Sequence, residues 1–566
     1  MIRILSANIL SPLGQTTDEN YEAVLAGRTA LALHEGRWGL PEAFVASLFS
    51  EEQWQEISIE GMTRFESLVI QSARSAMRAA GVSASSDRLG LVVSTTKGNI
   101  ELLEKDPSAT SPAAAAKNIA RHLGIVTEPI VASNACISGV AGLVLAQRLI
   151  MAGIYDEVIV TGCDVQGKFI ISGFQSLKAL SPEPCRPFDI ERTGLNLGEA
   201  AATLILSRKP HGGTAWTMTG GAVRNDAFHI TNPSPSGAGS RSAMIAALGG
   251  MKPESLALVN VHGTATMYND QMESKAIEGA GLSDVPANAL KGYFGHTMGA
   301  AGLLETIMTM RAVEDGLVLP TKGYSERGVS GRISVSAQKR ATSERSFLKV
   351  ISGFGGCNGA VAFSLADCGS RPQQCPQAIG RVAETHRVIV TASSVTLDGE
   401  VLKTEGSGKA MLTDAYRRYV GDYPRFYKMD ILSRLGFLAS ELIAQRHGTD
   451  RETDKPDCGV VFFNSTSSLC SDIEYDKSIA DSGNYYPSPS VFVYTLPNIV
   501  TGEIALRNRF RGETSLYILP ERNDGLAEKV ALTSFFDQEL HTLLTGWIDA
   551  PSESDFTADL RLLVRQ

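Results

Sequence analysis

Cys136 stands where a strand-like run meets a helical pattern. The segment from Val131 to Gly142 reads VASNACISGVAG. Apolar residues precede it, and from Val140 onward they recur at the 3.6-residue spacing of a helix. A cysteine at a helix start lies at the positive end of the helix dipole, where backbone N–H groups favour a thiolate and can hold a developing oxyanion. Cys136 is therefore a candidate nucleophile, with a small buried residue as the alternative.

A histidine follows another strand-like run in the segment VNVHGTATMYND, which starts at Val259. His262 would lie at the C-terminal tip of that strand, as a structural residue or as a group that exchanges a proton or hydrogen bond with a substrate. The hydroxyls of Thr264 and Thr266 beside it could bind an amide-rich or phosphate-bearing arm of a substrate.

A second histidine lies in the segment LKGYFGHTMGAAGLLE, which starts at Leu290. Lys291 precedes His296 by five residues, and Glu305 follows at the end of a run of small residues. Small residues permit close packing of a helix on a sheet. Taken alone, Lys291 and Glu305 would form a surface ion pair of little energetic value.

A glycine loop follows the strand-like start of the segment ISGFGGCNG, which begins at Ile351. The backbone around Phe354 and Gly355 could supply a second N–H group to an oxyanion at Cys136. A plain turn is the alternative.

The bulk composition argues against several classes of protein. The chain has 566 residues, 43% of them hydrophobic and 20% charged, which is typical of two or three globular units. A net charge of −9 argues against nucleic-acid binding. Met1 to Pro12 does not resemble a signal peptide, and no apolar run is long enough to span a bilayer. The eight cysteines form no CxxC pair, so we expect a reduced, cytoplasmic protein without a bound metal.

The order of strand-like and helical patterns predicts the α/β class with a largely parallel sheet. A helix is predicted over Phe65–Ala80, and strands over Leu89–Ser94 and Glu157–Thr161. A second unit is predicted to begin near Thr214. It would contain a strand over Ser255–Val261, a helix over Asn269–Glu278 and a strand over Phe347–Ser352. Residues 367–386 are polar and hold two prolines and two glycines, which is typical of a linker.

Beyond the linker, the chain repeats patterns of its first part in the same order. RILSANILSPLG at Arg3 is matched by VIVTASSVTLDG at Val388, and DRLGLVVSTT at Asp87 by DCGVVFFNST at Asp457. An Arg-Phe pair predicted to open a helix occurs at Arg64 and again at Arg425. ACISGVAGLVLAQRL at Ala135 can be aligned with TLPNIVTGEIALRNR at Thr495, which places Leu496 opposite Cys136. The alignment predicts a second copy without a nucleophile; chance similarity between two α/β units is the alternative.

The segments HGTAT, KxxxxHxxGAAGxxE and GFGGxNG, in this order after a cysteine corner, resemble those of the β-ketoacyl synthases, condensing enzymes of the thiolase superfamily. PFDIERTGLNLGEAAATLIL at Pro187 and DAFHITNPSPSG at Asp226 are also similar to stretches of that family. The resemblance covers about residues 1–366. It implies the five-layer αβαβα thiolase-like fold, with an N-half over about 1–210 and a C-half over about 211–366. Residues 387–566 would be a degenerate, truncated N-half-like domain.

The resemblance implies roles for the candidate residues. Cys136 would carry an acyl chain as a thioester, and His262 and His296 would stabilise the enolate formed when a malonyl group loses CO₂. Lys291, paired with Glu305, would orient His296. Thr264 and Thr266 would bind the phosphopantetheine arm. Phe354, with Gly355 beside it, would contribute to the oxyanion hole and gate the pocket. Asp270 and Glu273 would have structural roles.

The implied partners are an acyl carrier protein and its malonyl and acyl thioesters, with no cofactor beyond the carrier's phosphopantetheine. A carrier protein is acidic, so Lys117, Arg121, Arg186 and Arg192 are candidate docking residues, each with a solvated surface role as the alternative. The extra C-terminal domain would resemble a chain-length factor and would occupy or extend the family's dimer surface, so we expect a homodimer or a pseudo-dimer. The alternatives are a non-catalytic scaffold or chain-length partner and a thiolase-type enzyme that acts on CoA esters.

Overall fold

The computed structural model describes residues 2–209, 213–367, 378–481 and 485–566. The first half of the chain's main α/β unit begins with a strand and alternates strands and helices, as predicted. Its elements are β1 (Ile2–Leu10), α1 (Thr17–Leu25), β2 (Leu31–His34), β3 (Phe44–Ser47), α2 (Glu51–Ile57), α3 (Arg64–Ala80), β4 (Leu89–Ser94), α4 (Pro112–Leu123), β5 (Ile130–Ala132), α5 (Ser138–Met151), β6 (Glu157–Asp164), α6 (Lys168–Ser176), β7 (Leu197–Gly198) and β8 (Ala200–Ser207).

The second half begins at Thr214, where the sequence predicts a new unit. Its elements are β9 (Thr214–Asn225), α7 (Ala238–Leu248), β10 (Leu256–Asn260), α8 (Met267–Gly279), β11 (Pro286–Asn288), α9 (Lys291–Phe294), α10 (Ala301–Glu314), β12 (Leu317–Val318), β13 (Ser334–Val335), β14 (Arg340–Ala341), β15 (Ser346–Gly353) and β16 (Cys357–Asp367).

The two halves form the predicted five-layer αβαβα sandwich. The first sheet has the strand order β5-β4-β6-β8-β1 and the second has the order β13-β11-β10-β15-β16-β9. Helix α5 packs on β4 and β6 of the first sheet and on β9 and β16 of the second, and α10 lies beside it. Helices α3 and α4 cover the outer face of the first sheet, while α7 and α8 cover the second. Apolar strands buried on both faces thus give each sheet a continuous core.

The C-terminal unit repeats the connectivity of the first half. Its elements are β17 (Val382–Thr391), β18 (Val395–Leu397), β19 (Glu400–Leu402), α11 (Gly408–Tyr419), α12 (Ile431–His447), β20 (Cys458–Asn464), α13 (Leu469–Lys477), α14 (Pro489–Tyr494), α15 (Ile499–Asn508), β21 (Thr514–Ile518), α16 (Asp524–Thr533), β22 (Thr542–Asp549) and β23 (Thr557–Arg565). Strand β17 begins inside the range 367–386 that the sequence assigns to the linker. Residues 368–377 of that range lie outside the described residues.

The strand pairing corrects one part of the internal alignment. Strand β20 pairs in parallel with β21 and β22, as β4 pairs with β5 and β6. Helix α15 therefore precedes the equivalent of β5 instead of following it, and placing Leu496 opposite Cys136 is wrong. The shared apolar periodicity of two helices produced the false match. The true counterpart of the Cys136 corner is the segment from Leu519 to Asn523, which contains no cysteine.

A smaller correction concerns the start of α12. The Arg425–Phe426 pair does not open that helix but lies in a short 3₁₀ turn, Pro424–Lys428. Helix α12 begins at Ile431, where the side chain of Asp430 accepts a hydrogen bond from the backbone N–H of Ser433. An N-cap of this kind fixes the helix start after the turn.

The C-terminal unit continues the first sheet of the main unit through its edge strand. Strands β5 and β21 pair antiparallel, with Tyr517 opposite Ala132 and Ile518 opposite Val131. The Asn134 side chain extends the contact, because its Oδ1 accepts a hydrogen bond of 2.8 Å from the backbone N–H of Leu516. No helix among the described residues is long and apolar enough to cross a membrane.

One buried ion pair joins the two units beside this shared edge. Arg148 of α5 and Glu513, next to β21, lie 2.5 Å apart, and their side chains are 5% and 1% exposed. We expect Glu513→Ala to lower the free energy of unfolding by about 3–5 kcal/mol, because it leaves a buried guanidinium without its counter-ion.

Urea unfolding measures this change. The matched control is Glu539→Ala, whose carboxylate is 62% exposed and shares Arg224 with Asp537; it should cost less than about 1 kcal/mol. Equal effects of the two substitutions would contradict a stabilising role for the buried pair.

Candidate active site

Cys136 lies in a tight corner between β5 and α5. Ala135, directly before it, adopts φ 47°, a left-handed conformation that is uncommon for a residue with a Cβ. The Ser138 hydroxyl holds the corner: it accepts a hydrogen bond of 2.9 Å from the Asn134 N–H and donates one of 2.6 Å to the Ala135 carbonyl. The corner thereby presents the thiol at the carboxyl end of the strand.

His262 lies in the loop that follows β10, and carboxylates hold this loop by accepting hydrogen bonds from its backbone N–H groups. Glu273 of α8 accepts hydrogen bonds of 2.7 Å from the N–H groups of both His262 and Gly263. Asp270 accepts from the N–H groups of Ala265 and Phe188, and Ala265 has φ 61°. The supporting role expected for Asp270 and Glu273 thus takes the form of direct bonds to the histidine loop.

His296 lies between α9 and α10 with one of its ring nitrogens occupied. The backbone N–H of Met298 donates to His296 Nδ1 over 3.3 Å, and Met298 adopts φ 50°. In a neutral imidazole this places the proton on Nε2. Nε2 of His296 and Nδ1 of His262 are both buried without a hydrogen-bond partner among the described residues.

Cys136, His262 and His296 come together although 160 residues separate the first from the last. Their nearest ligand-type atoms, one sulfur and two ring nitrogens, all lie within 4.8 Å of one another. The two imidazole rings stand nearly perpendicular at a centroid distance of 5.1 Å. Such a cluster can also bind zinc; the absence of a metal remains a prediction from the sequence.

Lys291 and Glu305 form a fully buried pair, so the surface ion pair considered as an alternative is wrong. Lys291 Nζ lies 2.7 Å from Glu305 Oε1 and donates over 2.7 Å to the carbonyl oxygen of His262. Both side chains are at most 3% exposed. Lys291 contacts the backbone of His262 directly, whereas the sequence predicts that it orients His296.

Burial and nearby ammonium groups keep the catalytic candidates uncharged. The pKa of each histidine lies well below its usual range, because burial and the positive charge of Lys291 both disfavour the imidazolium form. Burial raises the pKa of the Cys136 thiol to about 12, although Lys291 acts in the opposite direction. The thiolate expected from the helix dipole is therefore not the resting form, since desolvation outweighs the dipole.

Phe354 and Gly355 form the loop between β15 and β16, next to the nucleophile. A Cβ placed on Gly353 would lie 3.2 Å from the Cys136 nitrogen, so the loop backbone adjoins the Cys136 N–H group. Gly355 has φ 90°, which a side chain would strain. The C-terminal unit holds the loop from outside, because Asn498 Nδ2 donates over 2.9 Å to the Phe354 carbonyl.

Two cavities meet at Cys136. The larger, of about 350 Å³, is also lined by both histidines and by Thr264 and Thr266, whose hydroxyls lie 2.9 Å apart. The smaller, of about 20 Å³, has space for roughly one water molecule. Phe354 lines both cavities. The walls of the small one include Phe492 and Leu496 of the C-terminal unit together with Lys97.

Lys97 lines the small cavity and also contacts the C-terminal unit. Its side chain is 3% exposed and lies 2.5 Å from the carboxylate of Asp472. It also donates to the Thr495 carbonyl. The sequence does not predict a role for Lys97, Asp472, Phe492 or Asn498, because it does not show which part of a distant unit packs against the surroundings of Cys136.

The candidate docking cations are placed very differently by the structure. Arg192 is buried and donates to the carbonyls of Asp189 and Gly328, so it cannot meet a carrier protein. Arg186 is paired with Glu191 at 2.5 Å. Lys117 and Arg121 are exposed on α4. At the mouth of the large cavity the structure places Lys178, which is exposed and has no ion pair within the described part of the chain.

Comparisons with known proteins decide the family. Residues 1–211 match the model of the β-ketoacyl synthase N-terminal domain, and residues 216–325 match that of its C-terminal domain. This chain belongs to the β-ketoacyl synthase family. It is 28% identical over 404 residues to 3-oxoacyl-[acyl-carrier-protein] synthase 2 of Vibrio cholerae. That alignment covers 64% of this chain and 98% of the Vibrio protein. It is 30% identical over 330 residues to nodulation protein E of Rhizobium meliloti, covering 53% and 82%.

The fold of the whole synthase chain, including the C-terminal unit, also has a solved counterpart. The PfaC keto synthase–chain length factor structure superposes with a TM-score of 0.79 at 14% identity, covering 100% of this chain and 78% of that one. The family and the thiolase-like fold predicted from the sequence are confirmed, and the chain is a condensing enzyme by family.

The raised pKa of Cys136 gives a direct prediction. Because the thiolate is the reactive form, alkylation of Cys136 by iodoacetamide should accelerate about tenfold per pH unit from pH 7 to 10 without a plateau. Peptide mass spectrometry of the modified protein measures the rate. In the same protein unfolded in guanidinium chloride, the rate should level off above about pH 9; a plateau near pH 7 in the folded protein would contradict the assignment.

Proposed function

We propose that this chain is a β-ketoacyl-[acyl-carrier-protein] synthase that catalyses decarboxylative Claisen condensation in fatty-acid or polyketide-like biosynthesis. The observation that carries the proposal is the convergence of Cys136, His262 and His296 within 4.8 Å at the inner end of a cavity. Two neutral imidazoles beside a thiol suit a reaction whose transient charge is a substrate oxyanion.

The first half-reaction is acyl transfer to Cys136. The sulfur attacks the carbonyl carbon of an acyl-carrier thioester, and backbone N–H groups of Cys136 and Phe354 are the proposed donors to the oxyanion. The thiol proton passes to a neighbouring imidazole and then to the departing carrier thiol. Because the thiol is protonated at rest, this transfer must accompany the attack.

The second half-reaction starts from a malonyl-carrier thioester in the large cavity. The bond between the carboxylate carbon and the α-carbon breaks, and CO₂ leaves. The electron pair of that bond forms an enolate, whose oxygen accepts hydrogen bonds from the imidazoles. The enolate carbon attacks the carbonyl carbon of the Cys136 thioester, the carbon–sulfur bond breaks, and the Cys136 thiolate that leaves takes up one proton from solvent. Thr264 and Thr266 are the proposed contacts of the phosphopantetheine arm, and no other cofactor takes part.

Intact-protein mass spectrometry with a panel of acyl-carrier thioesters tests the proposal. Wild type should gain one acyl adduct that Cys136→Ala lacks. His296→Ala should keep the adduct but lose decarboxylation of the malonyl thioester by about 100-fold or more. The control His541→Ala, in the C-terminal unit, should behave as wild type.

Each other outcome has a meaning. An adduct formed equally well from acyl-CoA would favour the thiolase-type alternative. No adduct from any donor would favour a non-catalytic scaffold.

We further propose that the C-terminal unit sets acyl length, as a chain-length factor fused to its synthase. Phe492 and Leu496 wall the small cavity at Cys136, and the Phe492 side chain is 3% exposed. Phe492→Ala should shift the preferred acyl chain in the adduct assay by two or more carbons. The control Val493→Ala, also in α14 and outside this cavity, should leave the preference unchanged; the same shift in both variants would argue for general loosening.

A further inference from the structure

Lys349 is a second buried lysine beside the histidines, and no sequence motif pointed to it. It lies in β15 with a side chain that is 0% exposed. Its ammonium group is ion-paired with Glu305 Oε2 and lies 3.4 Å from the carbonyl oxygen of Val261. Lysines are almost never fully buried unless they are paired. Glu305 therefore bridges two ammonium groups, with Oε1 on Lys291 and Oε2 on Lys349.

Together these groups hold both peptide units that flank His262. In the Val261–His262 peptide, the carbonyl faces Lys349 and the N–H donates to Glu273. In the next peptide, the carbonyl of His262 accepts from Lys291 and the N–H of Gly263 donates to Glu273. Each of the four backbone groups thus has an ionisable side chain as its partner, which fixes the position of the imidazole.

The charges around His262 come from several elements packed against it. Carboxylates are supplied by α8 (Asp270 and Glu273) and α10 (Glu305), and ammonium groups by α9 (Lys291) and β15 (Lys349). Burial, the two ammonium groups and the neighbouring ring of His296 hold the pKa of His262 well below its usual range, whereas burial raises the pKa of Glu273. Burial also lowers the pKa of Lys349 itself, against the opposing charge of Glu305.

We propose that Lys349 is a positioning residue for His262: Lys349, Lys291 and Glu305 form a two-lysine clamp that holds the imidazole in place for decarboxylation. The expected change in decarboxylation rate rests on the proposed function, whereas the expected change in the pKa of His262 does not. Acyl transfer to Cys136 depends less on the clamp, because no backbone group of Cys136 or Phe354 is bonded to it.

Two substitutions separate charge from shape. Lys349→Met removes the ammonium and keeps the length of the side chain, while Lys349→Gln keeps a donor for Glu305 and Val261 without the charge. We expect each to lower malonyl decarboxylation at least tenfold while Cys136 acylation changes less than threefold. The pKa of His262, followed by NMR of isotope-labelled histidine, should rise in both. The control Lys209→Met, a lysine 53% exposed that pairs with Glu157, should change none of these.

The outcomes that would overturn the inference are distinct. A folded variant with wild-type decarboxylation and an unchanged His262 pKa would overturn it. So would an equal loss of acylation and decarboxylation at an unchanged His262 pKa, which indicates a purely structural role. If neither variant folds, wild type decides: decarboxylation should fall at alkaline pH before acylation does, as Lys349 loses its proton, and a parallel pH dependence would count against the clamp.

Failure of the proposed function would look different. Wild type would then acylate Cys136 without decarboxylating any malonyl thioester, and the His262 pKa in the Lys349 variants would still test the clamp.

Discussion

The pairing of β5 with β21 is the contact on which the organisation of the active site depends. Strand β5 ends four residues before Cys136, so the edge that joins the two units also delivers the nucleophile. The side chain of Asn134, inside the corner, accepts a hydrogen bond from the backbone N–H of Leu516 in the partner strand. An edge strand left unpaired would expose backbone donors and acceptors. In this chain the second unit satisfies them and at the same time fixes the position of the corner.

The same docking gives the C-terminal unit access to the chemistry without a nucleophile of its own. Asn498 binds the carbonyl of Phe354, and a Cβ on Gly502 would lie 2.6 Å from the oxygen of Gly355. The glycine loop and helix α15 are thus packed backbone to backbone. Phe492 of α14 and Leu496, between α14 and α15, line the small cavity. A unit that cannot react can still determine the shape of the pocket in which its neighbour reacts.

Burial with balanced charge is the second constraint. Lys291, Lys349, Glu273, Glu305 and Asp270 are all buried around His262, so the charges there must be paired. The reacting groups themselves stay neutral, because desolvation raises the pKa of the thiol and lowers those of the imidazoles. Three residues in left-handed conformations, Ala135, Ala265 and Met298, bend the chain next to each reacting side chain. Such local strain persists where the surrounding packing over-determines it.

The sequence by itself determined the fold class, the boundaries of the main helices and strands, and the identity of Cys136, His262, Lys291, His296 and Glu305 as one group. Hydrophobic periodicity and short motifs involve residues close together in the chain, so they can be recognised in the sequence alone. It could not show that Lys349 shares Glu305 with Lys291 or that Arg192 is buried. Nor could it show that Asn498 holds the loop at Phe354 and that Phe492 lines the small cavity at Cys136. Nor could it show that the helix aligned with α5 precedes β21 instead of following it, since two apolar helices have similar sequence patterns when the strand order is unknown. Those features depend on which faces meet after folding, and only the tertiary structure decided them.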